Sequence, residues 1–525
     1  MLYQIKEKHL IILLFTTGLI LFLSNIWGSS IYILDEAKNS VCAREMLERR
    51  DIIVPTFNYE LRTDKPPLHY FFMMISYSIF GVNEFSARFF SVIAGIGTLM
   101  ITFYYTRRFI GFWVAFWTTL ALISSLHFIL EFHLAVPDPY LIFFISLALF
   151  SFFDYYQNNR FSQWLIFYIS LALGVLTKGP VALALPGLII IIFLLFNHDF
   201  KWKTIWRFYP LAGLLLFSII ALPWYIFVSI KTNGEWIDGF FFKHNIDRFS
   251  ETMEGHGGLF FIPFLYVLIG MLPFSVFIFR AVKMIWKKRK ENVFGLFCLI
   301  VVLVIITFFS ISSTKLPNYT MPAYPFLAVI FGVFLSDSKD IKGSKYFLVS
   351  SIIGILITAA AFTALTIEKN LNPLKYYALF FLVIPAFAFI GLYFSQKKEY
   401  FKALISLSSG WIIASLLFFY IIFPKIDSKN PVSETRAIVD QFEQVAYYGN
   451  YNPAFSFYIH KKIPQLESVE DVNRFFKKHQ NAILISTTKY ENQLNTLDSI
   501  KEIVRTKDLF ETPTTLVYTN SKTMD

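Results

Sequence analysis

Long uncharged apolar runs recur along almost the whole chain. They lie at about 9–28, 89–106, 109–130, 139–153, 161–177, 180–197, 208–228, 259–279, 294–312, 318–336, 346–366, 376–394 and 403–423. Most reach the ~17–25 residues that a membrane-spanning helix needs, while 139–153 and 161–177 are short. The pattern predicts about 13 spans, an odd number that puts the termini on opposite sides. Lys6 and Lys8 precede the first run, and no small-x-small cleavage site follows it, so it reads as a retained span.

Orientation follows from the basic residues of the short loops. With the N-terminus inside, the inner loops carry Arg107, Arg108, Arg160, Lys201, Lys203, Arg207, the run from Lys283 to Lys290, Lys339, Lys342, Lys345, Lys397, Lys398 and Lys402. The outer short loops then hold little beyond Lys178, Lys315, Lys369 and Lys375. This asymmetry predicts an inside N-terminus and an outside C-terminal region.

Three non-membrane segments fall on the outer face. Residues 29–88 form a mixed-charge loop with a helix-like stretch, Glu36 to Arg50, and an apolar piece, 66–80, too short to cross and suited to the interface. Residues 229–258 form a second, polar loop. Residues 425–525 alternate in polarity: Gln444–Tyr448, Ala482–Ser486 and Thr515–Thr519 read as strands, and Ser468–Lys478 as a helix opened by a Ser N-cap. The expected architecture is an all-α polytopic membrane domain over 1–424 and a small extracytoplasmic α/β domain over 425–525.

Composition agrees with the pattern. Of the 525 residues 56% are hydrophobic, 16% are charged and 62 are Phe, which excludes an ordinary cytosolic enzyme, a disordered chain and a fibrous one. The net charge of +11 comes from short basic runs beside apolar spans, the mark of cytoplasmic loops, so no nucleic-acid partner is expected. The two cysteines, Cys42 in a polar loop and Cys298 in an apolar span, form no disulfide framework.

The chemistry-bearing residues gather at the outer ends of spans. Asp35-Glu36 follows the first span; two adjacent carboxylates there either bind a cation or take a proton from a hydroxyl, or Asp35 caps the next helix. Asp64-Lys65-Pro66-Pro67 fixes an acid and a phosphate-suited cation at headgroup depth, or is a turn with solvated charges. Asp138 opens the fourth span, as a costly boundary carboxylate or as a cap. His133 nearby suits an interfacial histidine better than a ligand. His244 and Arg248 stand four apart, a metal ligand and a bidentate phosphate binder on one face if helical; His256 is a weaker case on a glycine-bearing stretch. Lys315 and Tyr319 join two further spans, Tyr319 serving also as an aromatic-belt residue. Acids, a histidine and several cations thus share one membrane face, and no span carries the mid-depth charge that an ion-coupled transporter needs.

This order of motifs resembles the membrane glycosyltransferases of the C-type fold, in the branch of the lipid A aminoarabinose transferase (ArnT) and the protein O-mannosyltransferases. The motifs are Asp-Glu after the first span, Asp-Lys-Pro-Pro, an Asp opening the fourth span, His-x-x-x-Arg-Phe and Lys-x-Pro-Asn-Tyr. They cover roughly 1–425; the tail matches by position and strand pattern. The resemblance implies a polyprenyl-phosphate-linked sugar donor, transfer at the extracytoplasmic face of a bacterial inner membrane, and a lipid A-like or protein acceptor. It implies a catalytic base at Asp35, with Asp138 second and Glu36 beside them. It implies donor-phosphate contacts at Lys65, Arg248, Tyr319 and Lys315, and a divalent metal ion held by Asp64 and His244. Two positions depart from the pattern: Asp64 is one methylene shorter than the Glu of the aminoarabinose transferases, and His133 stands where many relatives have Arg. A lipid-linked glycan ligase and a lipid or solute transporter are the alternative functions.

Overall fold

In lipid a chain must satisfy its own backbone polar groups, so uncharged runs of this length fold as helices. The computed structural model, which describes residues 7–242, 257–337, 344–510 and 512–520, shows them as such. Among the described residues nine helices are long and apolar enough to cross a membrane, or ten if a bent pair counts as one span. The difference from about 13 has a local cause in each case. The runs at 9–28 and 180–197 give the sixteen-residue helices Glu7–Phe22 and Val181–Phe196. The run at 109–130 is interrupted after Phe112–Ile123: Ser124 Oγ donates to Leu120 O, and Ser125 Oγ accepts from Phe128 N to open the separate helix Leu126–Glu131. The run at 259–279 splits into Ile262–Gly270 and Phe274–Lys287, bent by 115°.

Phenylalanine fills the bundle interior. Phe152 stacks on Phe208 at 5.0 Å, Phe150 meets Phe326 at 4.6 Å and Phe153 packs against Phe297 at 5.1 Å. Rings in offset or edge contact contribute beyond their buried area, which suits a core where lipid removes most of the hydrophobic contrast between helices. Polar residues inside the helices mostly bond back to the preceding turn, as Thr98 does to Ala94 O and Thr102 to Thr98 O.

The first outer segment holds the helix Leu34–Arg49, a two-residue hairpin of β1 (Thr56–Phe57) and β2 (Glu60–Leu61), and the helix Leu68–Phe80, thirteen residues and too short to cross. The C-terminal residues build a mixed sheet from β3 (Gln444–Tyr448), β4 (Gln465–Leu466), β5 (Ala482–Thr487), β6 (Ile500–Lys507) and β7 (Thr514–Asn520), in the order β4-β3-β5-β7-β6. β3 runs parallel to β4 and β5, and β7 antiparallel to β5 and β6. Every residue of β5 is buried, as its central place requires. Ser468 opens the helix Val469–Lys478 through a reciprocal capping box with Asp471.

This C-terminal unit sits on the first outer segment. Asn58 and Ile463 exchange two hydrogen bonds of 2.9 Å, Arg44 Nη1 donates to Ser456 O at 2.9 Å, and Ile31 N donates to the Tyr458 hydroxyl at 2.8 Å. The loop after β6 reaches furthest inward: Leu509 N donates to the Tyr32 hydroxyl, three residues before Asp35.

Candidate active site

Asp35 is the second residue of the helix Leu34–Arg49, whose N-cap is Ile33 with no side-chain cap. The capping role left open by the sequence is therefore not the one Asp35 plays. Its carboxylate lies in the first turn, where the helix dipole favours negative charge, and it is exposed.

The neighbouring Glu36 is an anchor. Its two oxygens accept from Arg88 Nε at 2.7 Å and Nη2 at 2.9 Å, and Oε1 also accepts from Ala135 N at 3.0 Å. Arg88 spends its remaining donors on the carbonyls of Ile26, Ser29 and Ser30. Both side chains are buried, at 1% and 4% exposure. In place of the catalytic part expected for Glu36 the structure shows an anchoring one, with three of its carboxylate's acceptor sites given to a buried guanidinium and a backbone N–H. What the pair does is tie the Asp35 turn to the end of the first helix. Removing one partner of a buried pair costs about 3–5 kcal/mol. Arg88→Met is therefore expected to lower yield and melting temperature sharply, measured by thermal unfolding in detergent, whereas Asp35→Asn should leave both near wild type. An Arg88→Met protein as stable as wild type would remove the anchor role.

Asp64 and Lys65 lie between β2 and the helix Leu68–Phe80, with Pro66 and Pro67 fixing the entry to that helix. Arg62, unremarked in the sequence, is the buried group that organises them. Its Nε donates to Asp64 Oδ2 at 3.1 Å, and its carbonyl accepts from Trp236 Nε1 at 3.0 Å. Burial works to lower the Arg62 pKa, but Tyr70, Asp64, Cys42 and Asp35 raise it and prevail, so the guanidinium is firmly charged. Nη1 and Nη2 find no hydrogen-bond partner among the described residues. Burial, then the charges of Arg62 and Lys65, hold His69 neutral. Asp35, Arg62, Asp64 and Lys65 thus share one electrostatic neighbourhood.

The second outer loop closes onto this segment. A Cβ on Gly239 would lie 2.6 Å from Thr63 Oγ1, and one on Gly179 only 2.5 Å from Phe240 Cζ, so the 236–240 stretch is wedged between the Arg62–Lys65 segment and the turn after Lys178. Trp236 and Phe240 stack at 4.8 Å and fill the wedge. Gly179 has φ +79°, which a side chain would strain as well as crowd. His244, Arg248 and His256 lie outside the described residues.

Across this wedge stands a second charged group. Asp138 is the first residue of the helix Asp138–Asn158, without a capping bond from its side chain. It accepts from Lys178 Nζ at 2.5 Å, and Lys178 lies 5.0 Å from the Tyr319 ring centroid. Buried Glu131, also unremarked in the sequence, feels both the repulsion of Asp138 and the attraction of Lys178. Lys315 is buried and donates to Ser312 O at 2.6 Å, within its own turn. His133 is the structural histidine its position suggested: buried, stacked on Phe419 at 3.8 Å and bonded to Ser24 O and Ile129 O.

Of the two expected metal ligands, Asp64 is described and His244 is not. Among the described residues no three His, Cys, Asp or Glu side chains are grouped to hold an ion, and Asp64 gives its carboxylate to Arg62.

Comparisons with known proteins bear on this arrangement. Residues 64–227, which include Asp64, Lys65, Asp138 and Lys178, match the family model described as dolichyl-phosphate-mannose-protein mannosyltransferase. An uncharacterized protein of Aquifex aeolicus is 31% identical over 377 residues, 70% of this chain and 85% of that one. The undecaprenyl phosphate-alpha-4-amino-4-deoxy-L-arabinose arabinosyl transferase 2 of Pseudomonas fluorescens is 26% identical over 404 residues, 74% of this chain and 70% of that one. The crystal structure of ArnT from Cupriavidus metallidurans bound to undecaprenyl phosphate superposes with a TM-score of 0.80 at 19% identity, covering 97% of each chain. Fold, motif order and relatives agree, and the chain belongs to the ArnT-like membrane glycosyltransferases of the C-type fold.

Proposed function

We propose that this enzyme moves a sugar from a polyprenyl-phosphate donor to an acceptor hydroxyl at the outer face of a bacterial cytoplasmic membrane. The observation that carries the reading is the meeting of Asp35, Arg62, Asp64 and Lys65 with the 236–240 wedge and the Lys178 turn, at the outer ends of the spans.

The chemistry follows from the groups. The acceptor oxygen forms a bond to the anomeric carbon while the bond from that carbon to the phosphate oxygen breaks, and its electron pair leaves on the phosphate. The leaving group is already a stable anion, so fixed positive charge serves it better than a proton donor. Lys65 and Arg248 are the proposed phosphate contacts, with Tyr319 and Lys315 toward the Lys178 side. The acceptor proton goes to Asp35. Asp138 is the second candidate, its carboxylate engaged by Lys178 Nζ at 2.5 Å. Direct displacement inverts the anomeric configuration. A lipid A-like glycolipid is the favoured acceptor, and a protein the second.

The test is release of polyprenyl phosphate by purified protein given a polyprenyl-phosphate sugar and an acceptor. Release that depends on acceptor supports transfer. Movement of intact donor or lipid across vesicles without release would make the protein a transporter.

The basic residues of the inner loops support a cytoplasmic N-terminus and a C-terminal sheet outside. A phosphatase reporter fused after Asp525 is therefore expected to be active only when exported. A reporter active only in the cytoplasm would put the site on the wrong side of the membrane and overturn the proposed reaction.

A further inference from the structure

Arg62 and Asp64 stand two apart in the segment that leads from β2 to the helix Leu68–Phe80. Side chains i and i+2 of an extended chain share a side, so Arg-x-Asp there sets a guanidinium against a carboxylate. The result is the 3.1 Å bond from Arg62 Nε to Asp64 Oδ2. The backbone of Arg62 is held on both flanks: its N–H donates to Pro55 O at 3.0 Å, and its carbonyl accepts from Trp236 Nε1 at 3.0 Å. The Arg62 side chain is 4% exposed and that of Asp64 28%, so the cation is the fixed partner and the acid its outer face.

An arginine keeps its charge when buried. Among the described residues this one bonds no other carboxylate, and its Nη1 and Nη2 are buried without a hydrogen-bond partner. Tyr70 and Cys42 also interact with it, but burial keeps both neutral: it pushes the thiol up to about 12 and the phenol well above its usual range. The charge of Arg62 is therefore answered by Asp64 and Asp35. Asp35 and Asp64 bring two negative charges to this neighbourhood, and Arg62 and the buried Lys65 bring two positive ones. A divalent ion at Asp64 would add two more positive charges beside a guanidinium that cannot be deprotonated, and its repulsion would be twice that of a monovalent ion. The described surroundings of Asp64 do not fit such an ion.

We infer that Arg62 is the resident cation of Asp64, in the place that the family resemblance gives to a divalent metal, and that transfer by this enzyme needs no divalent ion. The second half of the inference rests on the proposed reaction; the first does not. Arg62 acts here as a positioning residue. It fixes the Asp64 carboxylate and keeps a positive charge beside Lys65 without having to be loaded from solution. A metal ion is held only as tightly as its ligands and its concentration allow, whereas a guanidinium built into the chain stays in place at any metal concentration. The shorter acid at 64 belongs to the same arrangement, because a carboxylate close to its own backbone is within reach of a partner two residues back.

Binding of Mn²⁺ alone, read by electron paramagnetic resonance on chelator-stripped protein in detergent, tests this independently of turnover. Wild type and Asp64→Asn are expected to bind Mn²⁺ alike, with no saturable site lost on substitution. Arg62→Gln, which leaves Asp64 without its partner, should bind Mn²⁺ about tenfold tighter than wild type or more, the scale on which a ligand's own partners tune metal affinity. Arg62→Lys, which keeps the charge, should not, and adding Asp64→Asn to Arg62→Gln should abolish the gain. Chelator should leave release of polyprenyl phosphate by the wild type unchanged. One Mn²⁺ per wild-type chain that Asp64→Asn removes would overturn the inference, as would release that chelator abolishes and Mn²⁺ restores. The comparison of wild type with Asp64→Asn decides the matter without Arg62→Gln, should that buried change prevent folding. Failure of the proposed reaction itself would show separately, as wild-type protein that releases no polyprenyl phosphate with or without added metal.

Discussion

Asp35→Asn is expected to lower turnover at least ~100-fold, the usual scale of a lost general base. The substitution keeps the size of the side chain and removes its charge and proton affinity. Asp35 is exposed in the first turn of its helix, and Glu36, not Asp35, carries the ion pair that holds the turn. Stability and membrane insertion should therefore be close to wild type, which separates this loss from the one expected of Arg88→Met. Donor binding, measured with a polyprenyl-phosphate analogue, should also persist, because the phosphate contacts lie on other segments. Near-normal turnover in Asp35→Asn would transfer the role to Asp138, and Asp138→Asn would then have to show the loss. The same comparison weighs the two acids against their surroundings. Asp138 is pinned by Lys178 and sits near Glu131, so its substitution should unsettle the Lys178 and Tyr319 side as well as any proton transfer.

The legible and the hidden parts of this site differ in a physical way. Asp35, Asp64, Lys65 and Asp138 stood out because a charge at a span boundary is costly and so rarely placed there without a use. Arg62 looked like one more charge in a mixed-charge loop, and only the tertiary fold buries it 3.1 Å from Asp64 under Trp236. Lys178 read as a basic residue at a helix end until the fold set Asp138 against it. Glu36 misled in the opposite sense: adjacency to Asp35 in sequence suggested a shared task, but successive helical residues face different directions, and Glu36 turns inward to Arg88.

The same contrast runs through the fold. Strands β3, β5 and β7 were readable within a residue or two, and the Ser468 capping box marked its helix from sequence alone. Strand β6 escaped because its polarity does not alternate cleanly. Ile503 and Val504 fall side by side at a register shift between Glu502 and Val504, where a bulge lets two residues oppose one. The number of long apolar helices among the described residues differs from the number of apolar runs for a related reason. Hydropathy sees composition, while the break at Ser124–Ser125 and the 115° bend after Gly270 depend on hydrogen bonds and packing that composition does not record.

Lys65→Ala and Arg248→Ala are each expected to weaken transfer by roughly 2–5 kcal/mol, the cost of truncating one partner of a buried charge contact. Lys65 is buried in the segment that Arg62 and the two prolines hold in place, so its ammonium is presented with little freedom left to lose on binding. Arg248 is carried by the second outer loop, whose 236–240 stretch packs on Thr63. If the two cations grip one donor phosphate, their losses should be non-additive, because groups that share a ligand are energetically coupled. A double-mutant cycle read by binding of a polyprenyl-phosphate analogue measures that coupling directly. The coupling should also weaken with salt less than a surface pair would, since Lys65 is buried. Strict additivity with donor affinity unchanged in either single variant would sink the shared grip. The charge facing the leaving phosphate would then have to come from Arg62, whose Nη1 and Nη2 are both buried and unpartnered among the described residues, and Arg62→Lys, which keeps the charge and loses the fork, would be the next substitution to make.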